Sequence, residues 1–335
     1  MVFIKSTGLR LLAIVVVFAC IMLLLPGLDE GRAIDRASDN TLPTTEATHE
    51  QPIIDAQSII LINTPTPTPV PTITPIPTPT PTPFIHPGIR DNKFTNGDVV
   101  ADEDSYKSEN LNVEIKTETI GESVVYIAEI YMRSLDNFIP VFANGKFHGG
   151  YKTTSDMDAD HQGIFTVNSD SATAAEYGVI IRNQEVYRNV PAAEHLAVYY
   201  DGTMKTYKAE KTNAKWLIDN GAAHVFCFGP SLINSKGQAI DDFSFSHIRK
   251  RHPRTAVGMI EPFHYIFVVV DGRSSYSKGM TLEQLSKLMH DLKCKVAYNL
   301  DGGGSSTMVF QGKRINKPEG GEVERELDSA IVIRD

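Results

Sequence analysis

The stretch Tyr298-Asn299-Leu300-Asp301-Gly302-Gly303-Gly304-Ser305-Ser306-Thr307-Met308 carries an apolar strand into one carboxylate, three glycines and three hydroxyls. Consecutive glycines are costly to order, because glycine loses the most backbone freedom on folding. A folded chain keeps them where the backbone turns sharply or lies close to a ligand. Local composition leaves two readings open: a tight connection capped by hydroxyls, or a loop that cradles a ligand. The flanking sequence has to decide.

Upstream, residues 281–292 place Leu282, Leu285, Leu288, Met289 and Leu292 on one face of a helix. Thr281 and Gln284 have the spacing of a capping box. Before that helix, residues 265–270 are apolar throughout, as in a central strand, and end in Asp271-Gly272-Arg273. A strand-helix-strand unit makes residues 265–270 and 295–300 parallel. Asp271 and Asp301 then leave the sheet at one edge, where ligands of open α/β sheets bind. One Asp-Gly after a strand is a turn. Two at one edge, one of them beside three glycines, point to an acid/base or nucleophile pair.

Further out, residues 112–119 and 123–132 alternate as two strands of a hairpin around Gly121-Glu122. Residues 154–161 read as a short polar helix. Residues 163–167 form a strand that runs into Asn168-Ser169-Asp170. Another strand covers 178–182, a hairpin 196–207 with Asp201-Gly202 at its turn, and a short helix 213–220. Residues 223–228, 255–260, 308–310 and 329–333 complete the strands. The expected fold is mixed α/β (α+β): one domain over 111–335, with a twisted mixed sheet and few helices.

The N-terminal third has a different character. Lys5 and Arg10 precede an apolar run over 11–25, and Asp29 and Glu30 follow it. This charge order keeps the N-terminus inside. The run is shorter than the ~20 residues of a comfortable membrane span. No small-x-small cleavage site follows Leu25, so residues 1–28 read as a cytoplasmic stub and signal-anchor, with a cleaved signal peptide as the alternative. Residues 29–110 read as a linker. Within it, 64–83 is a Thr-Pro repeat that can form neither helix nor central strand. Such a tract is a semi-rigid spacer suited to a cell-surface stalk. The expected location is the cell membrane, single-pass, with the C-terminal domain outside. Secretion after cleavage is the alternative.

The chain has 335 residues, 41% hydrophobic, and a formal charge of −9. That balance argues against a nucleic-acid partner, which leaves a basic footprint. Of three cysteines, Cys227 and Cys294 lie beside apolar strands and read as buried thiols, although their pairing cannot be judged from sequence. The histidines lack the short spacings of zinc ligands. No cofactor is expected, with a bound divalent metal left open. Arg254, at a strand start, and Arg273 are candidates to fork onto a phosphate or carboxylate. The amides and hydroxyls of Gly302, Gly303, Gly304, Ser305 and Ser306 add neutral donors for an anion. Asn168 and Asp170 form a third polar cluster.

These residues resemble a known family. Asn299 to Met308 looks like the hallmark of the phosphodiester glycosidases. Pro253-Arg254-Thr255-Ala256-Val257-Gly258 and Val268-Val269-Val270-Asp271-Gly272-Arg273 are similar to that family's two preceding motifs. Thr154-Ser155-Asp156-Met157 and Val179-Ile180-Ile181-Arg182-Asn183 resemble its N-terminal half, so the likeness runs from about Ser123 to the C-terminus. The family usually has Asn-Gly-Asp or Asn-Gly-Gly followed by aromatics where this chain has Asn168-Ser169-Asp170-Ser171-Ala172-Thr173. Aromatics there could floor a sugar, and here they are missing.

The resemblance implies hydrolysis of a glycosyl phosphodiester, N-acetylglucosamine-like, to free sugar and phosphomonoester. Asp301 or Asp271 would steady positive charge at the anomeric carbon or activate water. Arg254, Arg273 and the 303–305 amides would hold the phosphate. Asn168, Asp170, Asn299, Ser306 and Thr307 would line the substrate. The expected partners are a glycan or sugar phosphate and, through 11–25, the membrane. A non-catalytic module for anionic wall glycans and a transferase of polymer assembly are the alternatives.

Overall fold

The computed structural model describes residues 91–191, 193–208 and 212–335. The expected membrane segment and the Thr-Pro tract lie outside the described residues. Three sheets make up most of the domain. The largest has the strand order β1 (Val100–Ala101), β2 (Ser105–Lys107), β3 (Leu111–Ile120), β4 (Ser123–Met132), β14 (His264–Val270), β13 (Arg254–Glu261) and β15 (Val296–Asn299). A second has the order β11 (Met204–Tyr207), β10 (His195–Tyr199), β12 (Ala222–Phe226), β8 (Gly178–Arg182) and β9 (Glu185–Val190). The third runs β17 (Lys313–Arg314), β16 (Met308–Phe310), β7 (Phe165–Asn168), β19 (Ser329–Ile333) and β5 (Phe138–Phe142). A small ladder pairs β18 (Glu326–Leu327) with β6 (Lys152–Thr153).

The helices are few: α1 (Thr154–His161), α2 (Ala214–Asp219) and α3 (Leu282–Asp291), with short 3-10 turns between strands. The capping box on α3 is present, with Thr281 Oγ1 accepting from the Gln284 amide and Gln284 Oε1 from the Thr281 amide. The β3–β4 hairpin turns at Gly121-Glu122 and keeps its register over all ten pairs. The β10–β11 hairpin also forms.

Two expectations change. The anticipated single mixed sheet is three sheets, and every ladder between the described strands is antiparallel. Ordered structure also begins before residue 111, because Tyr106 on β2 pairs with Val113 and packs into the main core. The linker reading of 29–110 fails at Tyr106 because a three-residue strand is too short to show alternation in sequence.

The central relationship survives these changes. β14 and β15 are both antiparallel to β13, which lies between them, so they run in the same direction. α3 makes the crossover. Alternate residues of β13 and β14 face opposite layers. Val257, Phe267 and Val269 join Phe165, Ile331, Leu196 and Phe226 in a core shared by the three sheets. Ala256, Val268 and Val270 face Leu282, Leu285 and Met289 of α3. Burying each of these large helix side chains contributes roughly 1.5–3 kcal/mol. Cys227 and Cys294 are both buried free thiols.

Candidate active site

β15 ends at Asn299, and the chain crosses to the third sheet, which it enters at Met308. The glycine loop is that crossing. Asn168, at the end of β7, holds both of its ends. Its Nδ2 donates to the Asp301 carbonyl at 2.7 Å, while its Oδ1 accepts from Thr255 Oγ1 at 2.6 Å and from the Thr307 amide at 3.1 Å. The Asp301 amide donates to the Ser169 carbonyl at 3.1 Å. With its capacity used in this way, Asn168 positions the loop and does not face a substrate.

The loop backbone is largely committed to itself and its neighbours. The Gly303 amide donates to Pro253, Ser305 to Gly302 and Ser306 to Gly303. The expected phosphate cradle of the 303–305 amides is therefore not formed by Gly303 or Ser305. Glycine is required at Gly303 by its positive φ and at Gly302 by the Pro253 carbonyl oxygen, 2.9 Å from where a Cβ would stand, while Gly304 lies under side-chain ends. Gly303 has φ +64° with the Arg273 guanidinium 3.3 Å from where a Cβ would stand. A Cβ on Gly304 would fall within contact of Arg325 Nη2 and 2.9 Å from Glu319 Oε2. The loop is thus pressed against two guanidinium groups and a carboxylate.

Asp301 is half-buried at the start of this loop. Burial pushes its carboxyl above the ordinary aspartate range. Hydrogen bonds from the Ser305 hydroxyl and the Gly302 amide, and the charge of Arg325, act in the opposite direction, while Asp328 adds to the rise. The Gly302 amide donates to Asp301 Oδ1 at 2.8 Å. A carboxylate perturbed in this way and still reachable from solvent is the profile of an acid/base group.

Asp271 leaves its strand at the same edge, but it is fully buried. Its Oδ1 accepts from Asn316 Nδ2 at 2.9 Å, and its Oδ2 from Tyr276, the Lys317 amide and Tyr126. Asn316 Nδ2 also donates to the Ser306 carbonyl. Asp271 is a satisfied anchor beneath the loop, and the expected aspartate pair is reduced to Asp301. The turn reading of Asp271-Gly272 holds because a buried carboxylate needs several donors, and the 316–317 segment supplies them.

Arg254 is also corrected. It is 2% exposed and donates to the carbonyls of Met280, Ile248 and Lys250 at 2.9, 2.7 and 2.6 Å. Burial pulls its pKa down to about 10. It ties the segment before β13 to the N-terminus of α3. Asp170 is consumed likewise: its Oδ1 accepts from Arg182 Nη2 at 2.7 Å and from Ser169 Oγ at 3.0 Å, and its Oδ2 from the Cys227 amide. Asn299, Ser306 and Thr307 are buried, and Asn299 Nδ2 donates to the Gly229 carbonyl. Asn299 Oδ1, Ser306 Oγ and Thr307 Oγ1 have no protein partner.

Arg273 is half-exposed over the loop, with one Nη on His252 Nδ1 at 2.9 Å and the other on Glu319. Burial and the neighbouring Arg254 and Arg273 hold His252 below the usual imidazole range, which suits an acceptor. The sequence reading missed Arg325. It lies on the other side of Glu319, 4.0 Å from it, with Nη1 3.4 Å from Ser305 Oγ. The charge-dense stretch around Arg325 has no periodicity, and only the third sheet's topology folds it back onto the glycine loop. Among the described residues no group of three or more His, Cys, Asp or Glu could hold a metal ion.

A half-buried carboxylate on a glycine loop, with two arginines against that loop, is an arrangement able to take an anionic ligand next to an acid/base group. Residues 157–334 match the family profile of the phosphodiester glycosidases, and the chain belongs to that family. Membership places it with glycosidase-type hydrolases. The SPbeta prophage-derived uncharacterized protein YomE of Bacillus subtilis (strain 168) is 33% identical over 162 residues, 47% of this chain and 25% of that protein. The chain thus spans about a quarter of that relative. The catalytic domain of zebrafish N-acetylglucosamine-1-phosphodiester alpha-N-acetylglucosaminidase, auto-inhibited by its pro-peptide, has a TM-score of 0.55 at 20% identity. The match covers 67% of this chain and 83% of that one. That likeness shows a shared fold.

Proposed function

We propose that the domain hydrolyses a glycosyl phosphodiester, releasing a free sugar and a phosphomonoester. The observation that carries this reading is Asp301, half-buried with a raised pKa, on a loop pressed between Arg273 and Arg325. Water adds to the anomeric carbon while the bond from that carbon to the phosphate's bridging oxygen breaks. Asp301, ionised, takes the proton of the water. The leaving phosphomonoester gains a second negative charge, and its second pKa near 6 makes acid assistance dispensable. Arg273 and Arg325 therefore hold the phosphate more tightly as the bond breaks than before, which is how binding lowers a barrier. Glu319 sits between the two arginines and yields that place to the substrate phosphate.

The 11–25 segment and the 64–83 spacer support placing the domain outside the membrane, on a cell-surface polysaccharide, with an N-acetylglucosamine-like sugar as the unit released. The test is incubation of the full-length chain with a sugar-1-phosphodiester. Equimolar sugar and phosphomonoester support hydrolysis. Transfer to an acceptor sugar would indicate a transferase, and binding without product a non-catalytic module.

A further inference from the structure

A cavity of about 460 Å³ opens beside the glycine loop, between residues 170–177, 227–230 and 245–248. It is tied to the loop by two hydrogen bonds. Ser169, next to Asp170 of the cavity, accepts the Asp301 amide, and Gly229 of the cavity accepts from Asn299. Tyr177 and Phe245 stand in this cavity and are 51% and 72% exposed. Phe228 also lines it. Large aromatics left open to water around a cavity mark a surface that a ligand covers.

We propose that this cavity is a sugar subsite, taking an uncharged pyranose ring by stacking on Phe245 and Tyr177. The charge distribution selects that occupant. No lysine or arginine lines the cavity, whereas the Glu194 carboxylate does; Asp170, also on its wall, is already paired with Arg182. A phosphate is repelled there and drawn to Arg273 and Arg325, while a neutral ring offers C–H faces to the aromatics and hydroxyl donors to Glu194. Glu194 is held in place, its Oε2 accepting from the Ser231 amide at 2.7 Å and its carbonyl from Tyr298.

Both walls are fixed beforehand, which lowers the cost of binding. Arg188 donates to the carbonyls of Ala172 and Ala175, and Asp328 accepts from the Thr173 amide and hydroxyl at 2.6 Å each. On the facing side, Arg254 grips the Ile248 carbonyl. The two halves of a glycosyl phosphodiester would thus be sorted across Asp301, ring to the cavity and phosphate to the arginines. That sorting rests on the function proposed above, whereas the sugar subsite stands on the cavity alone.

The test measures binding without turnover. The full-length chain is titrated with methyl N-acetylglucosaminide, a neutral probe, followed by saturation-transfer NMR and calorimetry. Phe245→Ala is expected to weaken binding about tenfold, and Phe245→Tyr to stay within about threefold of the parent. Arg325→Ala should leave this neutral probe unaffected. Unchanged affinity in Phe245→Ala, no binding by the parent chain, or a cavity filled by an octyl-chain probe in place of the ring would each overturn the proposal. Sugar binding with no hydrolysis overturns only the proposed reaction. Hydrolysis with an unchanged KM in Phe245→Ala overturns only the subsite.

Discussion

Asn168 Nδ2 donates to the Asp301 carbonyl at 2.7 Å, so the residue that ends one sheet's strand sets the backbone of the other sheet's carboxylate. The bond is part-buried, and the Asn168 Oδ1 on the other side of the same amide secures Thr255 and Thr307 through two buried bonds. Asn168→Ala leaves several buried partners unmet, at a cost of about 2–4 kcal/mol. Chemical denaturation should show that loss with an unchanged slope. Turnover should fall as well, because Asp301 is no longer held.

Asp170 and Arg182 form an ion pair whose side chains are 0% and 5% exposed. Removing one partner strands the other, so Asp170→Ala should destabilise the domain by about 3–5 kcal/mol. Calorimetry reads this directly. A variant that folds as stably as the parent but loses substrate affinity would return Asp170 to the binding role expected from sequence.

Arg254 and Arg325 should behave oppositely. Arg254→Ala takes the side-chain donor from the part-buried Ile248 and Lys250 carbonyls and one of two donors from the Met280 carbonyl, and should lose about 3 kcal/mol of stability. Arg325 is half-exposed, and Arg325→Ala should keep the melting temperature while raising KM for an anionic substrate about tenfold or more. The KM effect should shrink at high salt.

Glu319 lies between Arg273 and Arg325. If the substrate phosphate takes its place, Glu319→Gln removes a competing carboxylate and should lower KM several-fold, with about a tenfold gain as the upper end for one exposed charge pair. Steady-state kinetics on a sugar-1-phosphodiester checks it. A raised KM would instead make Glu319 a residue that orients the arginines.

The contrast between the residues read correctly and incorrectly has a physical cause. The loop, the crossover helix and the shared edge were legible because they are local or follow from one strand-helix-strand unit. Thr281 and Gln284 capped α3 as spaced, and Asp271 and Asp301 emerged together. The sequence could not show which polar residue faces solvent. Asp271, Arg254, Asn168 and Asp170 have the composition of site residues, but each is buried among donors or acceptors from distant segments. Asn316 beneath Asp271 and Arg182 beside Asp170 are fixed only by tertiary packing. Arg325, Glu319 and the Phe245 wall come from loops without periodicity, so no pattern announced them.

Asp301 gives the most direct test. Its carboxyl is raised by burial, so its contribution to stability is greatest when it is protonated, below the ordinary aspartate pKa near 3.9, and is lost as pH rises through the higher folded value. Asp301→Asn should therefore melt higher than the parent at pH 7, with the difference vanishing toward about pH 3. Turnover by the parent should fall on the acid side as Asp301 takes up its proton. The deciding measurement is release of phosphomonoester from a sugar-1-phosphodiester by the parent and by Asp301→Asn at pH 7. A drop of about 10²-fold or more in kcat, in a variant at least as stable as the parent, is the expected result. Undiminished turnover by Asp301→Asn would contradict the central claim.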